Sequence, residues 1–301
     1  MLLSDPNQSS QLRVLEDRCV EGIGFANRPG GKYRPDAACW AVLALQAAGS
    51  TSGVIEKARQ SLVQAQDADG RVCIAPQLTD ACWPTALAIL AWHSAPAYEA
   101  PRSRALQFLL QFQQPETSRT ENSEGHDETI PGWPWVGKTH AWAEPTAYAL
   151  MALRVCGCAS HQRTQDAVRL LLDRQLAAGG WNCGNTVTFG LQMRPTPENT
   201  GLTLAALAGM VPKAAVDKSI AYLRPQLASL NAPMSLAWAI LGLHAWRENL
   251  EQPRERIRAV LARQRECGPY DTTSLCLLLL AWHCRAGLVD FFERAGTQDK
   301  I

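Results

Sequence analysis

This chain of 301 residues lacks almost every β-strand signal. Only "NTVTFGLQM", Asn185 to Met193, hints at β-character, between glycine and proline boundaries. Charge of one sign is not in excess: 29 basic residues face 28 acidic ones, which gives no electrostatic footprint for a nucleic-acid partner. Long hydrophobic runs are missing too. The greasiest stretch, "SLCLLLLAW" (Ser274–Trp282), is far too short to cross a bilayer. The first residues show no basic, apolar, small-residue progression, so a secretory signal is not expected, and a cytoplasmic location is. There is no glycine-rich phosphate loop, no His-Glu-x-x-His and no Gly-x-Ser-x-Gly, which removes the function classes those motifs carry. Cysteine is plentiful, at ten residues. Cys39, Cys82 and Cys276 nevertheless lie in apolar helical runs, and the Cys156-Gly-Cys158 pair has no second pair at zinc-finger spacing. Free thiols are expected, not a disulfide scaffold.

A repeat is present. In "AVRLLLDRQLAAGGWNCG", Ala167, Leu171 and Gln175 fall four apart on one helical face, followed by Gly179 and Trp181. Worn copies carry Ala58, Leu62, Gln66 and Gly70, then Ala105, Leu109 and Gln113, then Val260, Gln264 and Gly268. A second phrase alternates with it: a polar or acidic start, then residues apolar all round, as in "PDAACWAVLALQAAG", "CWPTALAILAW", "AEPTAYALMALRVCG", "PENTGLTLAALAGM", "APMSLAWAILGLHAW" and "YDTTSLCLLLLAWH". Helices apolar on every side are buried, and one-sided ones are not. With a first partner near "SQLRVLEDRCVEG", the count is six buried and six half-exposed helices.

The fold expected is therefore all-α: an (α/α)6 barrel of six helical hairpins in two concentric rings, because closure removes the exposed ends an open array must cap. One domain is expected over 1–301, with a polar arm at 1–11 and a long polar loop at 115–131. If the inner helices run parallel, their first turns ring one mouth with Asp36, Trp83, Glu144, Glu198, Pro233 and Asp271. Four of these six are carboxylates. Helix capping explains carboxylates at such places as readily as chemistry does. Trp83, Trp133, Trp135, Trp142 and Tyr148 gather at the same level and would suit an apolar ligand or a carbocation.

The Ala-x3-Leu-x3-Gln-x3-Gly-x-Trp phrase resembles the QW motif of the squalene-hopene and oxidosqualene cyclases, whose α/α toroid is shared with the β subunits of protein prenyltransferases. The resemblance runs from about Leu12 to Leu288. It implies that the Gln and Trp residues tie outer helices together. It also implies an isoprenoid substrate cyclised by acid in a central aromatic cavity, with no cofactor. "Trp142-Ala143-Glu144-Pro145-Thr146-Ala147" stands where a cyclase carries its aspartate-rich acid motif, so Glu144 takes the place of the catalytic acid. Trp142 and Pro145 replace its flanking aspartates. A lone glutamate is a weaker acid than aspartate, which points to an epoxide or another polarised group over a bare alkene. Asp36, Trp83, Trp133, Trp135, Trp142, Tyr148, Glu198 and Asp271 are the expected substrate-binding residues.

The prenyltransferase branch would need zinc. Asp80 and Cys82 match its first ligands, but Pro145 or Thr272 stands where its histidine belongs and His140 lies five residues early. No metal site is expected, and convergence of Asp80, Cys82 and His140 is the alternative. The expected partner is an isoprenoid or other apolar small molecule, not nucleic acid. Family relatives work as two barrels or with a second subunit, so a homodimer, a partner subunit or peripheral membrane contact is also implied. The alternative functions are a non-catalytic toroid that binds a lipid or protein and a prenyltransferase-type transferase.

Overall fold

The structure is a computed structural model that describes residues 6–20, 23–113 and 125–298. Six apolar helices form a closed inner ring: α2 (Pro35–Ala47), α4 (Pro84–His93), α6 (Ala143–Val155), α8 (Pro197–Leu207), α10 (Pro233–Ala245) and α13 (Thr272–His283). Each packs on the next, and α13 packs back on α2. Their sequences explain the placement: in α4 every residue from Pro84 to Trp92 is buried. The outer ring holds α1 (Pro6–Glu16), α3 (Val54–Gln64), α5 (Glu99–Gln111), α7 (Gln162–Asp173), α9 (Asp217–Leu223) and α11 (Pro253–Ala262). These helices bury one stripe only, such as Ala167, Val168, Leu170 and Leu171 of α7.

The fold is thus all-α, as the two alternating phrases require. The remaining helices are the single turn α12 (Gln264–Cys267) and α14 (Leu288–Gln298). Two short hairpins complete the order: β1 (Cys19–Val20) with β2 (Gly24–Phe25), and β3 (Val187–Thr188) with β4 (Leu191–Gln192).

Several boundaries differ from expectation. The polar arm is helical from Pro6 onward, and its residues 1–5 lie outside the described residues. The first outer helix stops at Glu16, because Cys19 and Val20 pair with Phe25 and Gly24. Of the long polar loop, residues 115–124 lie outside the described residues. Helix α9 is only seven residues long and passes into a 3-10 turn at Arg224, where Pro225 removes a backbone donor. Helix α14, absent from the sequence outline, crosses the far end of the barrel against α4, α6, α8 and α10 and buries Leu288, Val289 and Phe292.

Two repeated devices hold the rings in register. The repeat glutamines join successive outer helices. Gln66 Nε2 donates to Pro101 O of α5 at 2.9 Å, Gln175 Nε2 to Ser219 Oγ of α9 at 2.7 Å, and Gln264 Nε2 to Gln11 Oε1 of α1 at 3.1 Å, which closes the circle. Trp181, fully buried, donates from Nε1 to Leu171 O at 2.6 Å. Gly179 takes φ +93, and a Cβ there would lie 2.5 Å from the Lys218 backbone, so only glycine turns the chain against α9.

The second device is a buried threonine in the first turn of an inner helix, bonded to the segment that enters it. Thr85 accepts from Val72 N at 2.8 Å, Thr146 from Trp133 N at 3.1 Å and Thr200 from Trp181 N at 3.0 Å, while Thr272 donates to Ala26 O at 2.6 Å. Gly201 and Gly242 let α8 and α10 approach until their backbones touch: a Cβ on Gly201 would meet Trp238 O at 2.2 Å.

Candidate active site at the barrel mouth

Each inner helix follows an outer helix that runs back along the barrel, so the six first turns share one end. Proline at the first positions of α2, α4, α8 and α10 starts these helices without wasting a backbone donor. Asp36, Glu144, Glu198 and Asp271 all stand at this mouth, but their surroundings divide them into two pairs.

Both oxygens of Asp36 are engaged by the Arg34 guanidinium, at 2.8 and 2.9 Å. Asp271 caps α13: Oδ1 accepts from Ser274 N at 2.9 Å and Oδ2 from Ser274 Oγ at 2.7 Å. Glu144 and Glu198 are each held by one hydroxyl. Tyr148 donates to Glu144 Oε1 at 2.9 Å, and Ser235 donates to Glu198 Oε2 at 2.7 Å. Among the described residues, the other oxygen of each has no hydrogen-bond partner. Neither glutamate caps its own helix. Trp142 precedes α6 without a side-chain cap bond, and Thr196 caps α8 by accepting from Asn199 N.

Burial lifts the Glu144 carboxyl from its ordinary 4.5 to about 7. The Tyr148 hydrogen bond opposes that rise and the nearby Glu198 charge adds to it. Desolvation therefore outweighs the Tyr148 hydrogen bond, which favours the charged form. A carboxyl in this state is half protonated at neutral pH, and one of its oxygens has no hydrogen-bond partner among the described residues. It can give up a proton.

Aromatic rings descend from the rim to this pair. Trp135 meets Trp83 edge to face at 5.1 Å, and Trp83 stacks on Tyr148 at 6.2 Å. One turn below the carboxylates, Trp40, Tyr148 and Trp238, from α2, α6 and α10, touch one another with centroids 5.8 to 6.3 Å apart. All three are buried and form a floor across the barrel axis. Trp40 and Trp238 were not singled out in the sequence. Their signal is the i+4 step inward: Asp36 to Trp40 and Glu144 to Tyr148, with Trp238 five beyond Pro233.

Trp133 has the Arg163 guanidinium 4.1 Å over its ring and lines a narrow crevice with Trp83, Phe108 and Phe112. Trp142 meets His140 at a tilt, with centroids 4.1 Å apart. Among the described residues no group of three or more His, Cys, Asp or Glu side chains is placed to hold a metal ion, so Asp80, Cys82 and His140 do not converge. None of the ten cysteines is paired, and among the described residues no single helix is long and apolar enough to cross a membrane.

No family model matches this chain, and no curated sequence does. Solved structures do. A type II terpene cyclase, MstE, from Scytonema superposes with a TM-score of 0.59 at 15% identity, over 92% of this chain and 98% of that one. A variant of the same enzyme, in complex with its substrate geranylgeranyl dihydroxybenzoate, gives 0.56 at 14% identity over 97% of both chains. A protein from Actinoplanes gives 0.57 at 17% identity, over 96% of this chain and 99% of that one. At these identities the likeness establishes a terpene cyclase-like fold.

Proposed function

We propose that this protein is a terpenoid cyclase-like enzyme that acts on an isoprenoid substrate, with Glu144 as the general acid. The observation that carries the reading is the Glu144 carboxyl itself: held near neutrality and anchored by Tyr148, on whose ring Trp83 stacks. The fold likeness to an enzyme solved with a prenylated substrate supports the same reading.

A carboxyl that titrates near 7 is matched to general acid work at neutral pH, but it is a weak acid for a bare alkene. An epoxide is the fitting target. Glu144 protonates the epoxide oxygen as its C–O bond breaks. The π electrons of the neighbouring alkene form the new C–C bond. The cation that results is held beside the Trp83 ring, above the packed Trp40–Tyr148–Trp238 floor, until it releases a proton. Substrate and product are isomers, and Glu144 regains its proton from solvent.

Six exposed large apolar residues, Ile23, Leu78, Val136, Phe189, Leu191 and Met193, lie in the connections that enter the inner helices; Val14 is the seventh among the described residues. This rim supports contact between the mouth and a lipid surface, from which an isoprenoid would enter. The packed Trp40–Tyr148–Trp238 layer favours a second reading, a non-catalytic toroid that holds an apolar ligand at its mouth. Incubation with epoxide-terminated prenyl chains separates the two. The cyclase reading predicts cyclic isomers of unchanged mass, lost in Glu144→Gln. Binding without turnover supports the second reading.

A further inference from the structure

Reactions begun by adding a proton to an isoprenoid end when a proton leaves, so the site needs a base as well as an acid. We infer that Glu198 is that base, positioned by Ser235, and that it ends the reaction in an alkene. The inference rests on the cyclase reading of Glu144.

The division of the four mouth carboxylates carries it. Asp36 and Asp271 have both oxygens engaged, by Arg34 and by Ser274, in an ion pair and a helix cap that account for their places. Glu198 has one oxygen fixed by Ser235 and one without a partner among the described residues, the same arrangement as Glu144 with Tyr148. It is half-buried in the first turn of α8, and Thr196 already caps that helix, so capping does not account for it. Its charge is also felt by Glu144. Two like carboxyl groups in one site are the arrangement in which acid and base roles divide.

Helices α6 and α8 are packed neighbours, with axes roughly 8–10 Å apart. The aromatic floor lies one turn below the carboxylates, about 5.4 Å down the helix. The cation travels only from the carbon released by Glu144 to the carbon next to the C–H that Glu198 faces. At the end of that path a C–H bond breaks, its electrons form the alkene, and the proton moves to the free oxygen of Glu198.

The test compares products from an epoxide-terminated chain of three isoprene units. The wild type is expected to give unsaturated mono- or bicyclic isomers. In Glu198→Gln initiation slows but persists, and water captures the cation, so the alkene-to-alcohol ratio falls by about a hundredfold, the low end for losing a positioned base. Ser235→Ala shifts the ratio the same way, by less. An unchanged ratio in Glu198→Gln overturns the inference while leaving Glu144 as the acid. A second arm needs no substrate: in Glu198→Gln the Glu144 carboxyl should titrate lower, and an unchanged midpoint overturns the pairing. A wild type that leaves every epoxide intact overturns the cyclase reading, and the inference with it.

Discussion

Replacing Glu144 by glutamine should change how stability depends on pH, and the sign separates two explanations of this residue. A carboxylate that serves only the helix N-terminus has a lowered value in the folded state, so ionisation stabilises the fold and Glu→Gln costs stability above pH 5. Glu144 is raised from 4.5 to about 7, chiefly by burial. Below 4.5 the carboxyl is protonated in both folded and unfolded chains. Between 4.5 and 7 the unfolded chain releases the proton and the folded chain keeps it, so stability falls as pH rises; above 7 the loss is complete.

At about 1.4 kcal/mol per pH unit the shift corresponds to roughly 3 kcal/mol, which partial contact with solvent at the mouth trims to about 2–3 kcal/mol. For a chain of this length that is on the order of 5 °C in Tm. The assay is thermal unfolding of wild type and Glu144→Gln in matched buffers from pH 4 to pH 9. Groups common to both cancel in the difference. The variant should gain on the wild type by about 5 °C across this range, with most of the gain between pH 4.5 and 7. A flat difference, or a variant that loses ground as pH rises, refutes the buried-acid account.

Tyr148→Phe removes the hydrogen bond that holds the Glu144 value down, so the alkaline fall in epoxide turnover should move to higher pH; an unmoved limb means the bond is not made in solution. Gly201→Ala places a methyl group 2.2 Å from Trp238 O, where the backbones of α8 and α10 touch. It should cost about 3 kcal/mol or more in urea unfolding, and an unchanged midpoint would show that the two helices can separate freely. Phe189 and Leu191, 97% and 72% exposed at the β3–β4 hairpin, should carry vesicle binding. Phe189→Ser with Leu191→Ser should weaken co-sedimentation with phosphatidylcholine vesicles at least about tenfold, and equal co-sedimentation rules out this hairpin as the contact.

The rings were legible because burial writes a different pattern on each. Inner helices such as Pro84–His93 have no polar face and outer ones such as Gln162–Asp173 have one, so the alternation alone gives the architecture. The threonines were also visible, but their meaning was not. Thr146 looked like part of a catalytic motif. Thr85, Thr200 and Thr272 make equivalent bonds in other repeats, so Thr146 belongs to the scaffold.

The mouth carboxylates could be placed on one rim but not sorted. Asp36 and Asp271 differ from Glu144 and Glu198 only in which neighbours reach them, and Arg34, Ser274 and Ser235 do so through side-chain geometry that spacing does not encode. That Trp133 packs under Arg163 could not be read for a similar reason: a turn held by prolines and glycine fixes the chain but not which neighbour each indole meets. Helix α14 was missed because it follows the last repeat and obeys neither phrase.

The central claim is that Glu144 carries a proton at neutral pH. Its most direct test is a carbon-13 NMR titration of the glutamate side-chain carboxyls, with the Glu144 resonance assigned by its loss in Glu144→Gln. The account predicts a midpoint near 7. A midpoint at or below 4.5, the ordinary value for the group, would contradict it.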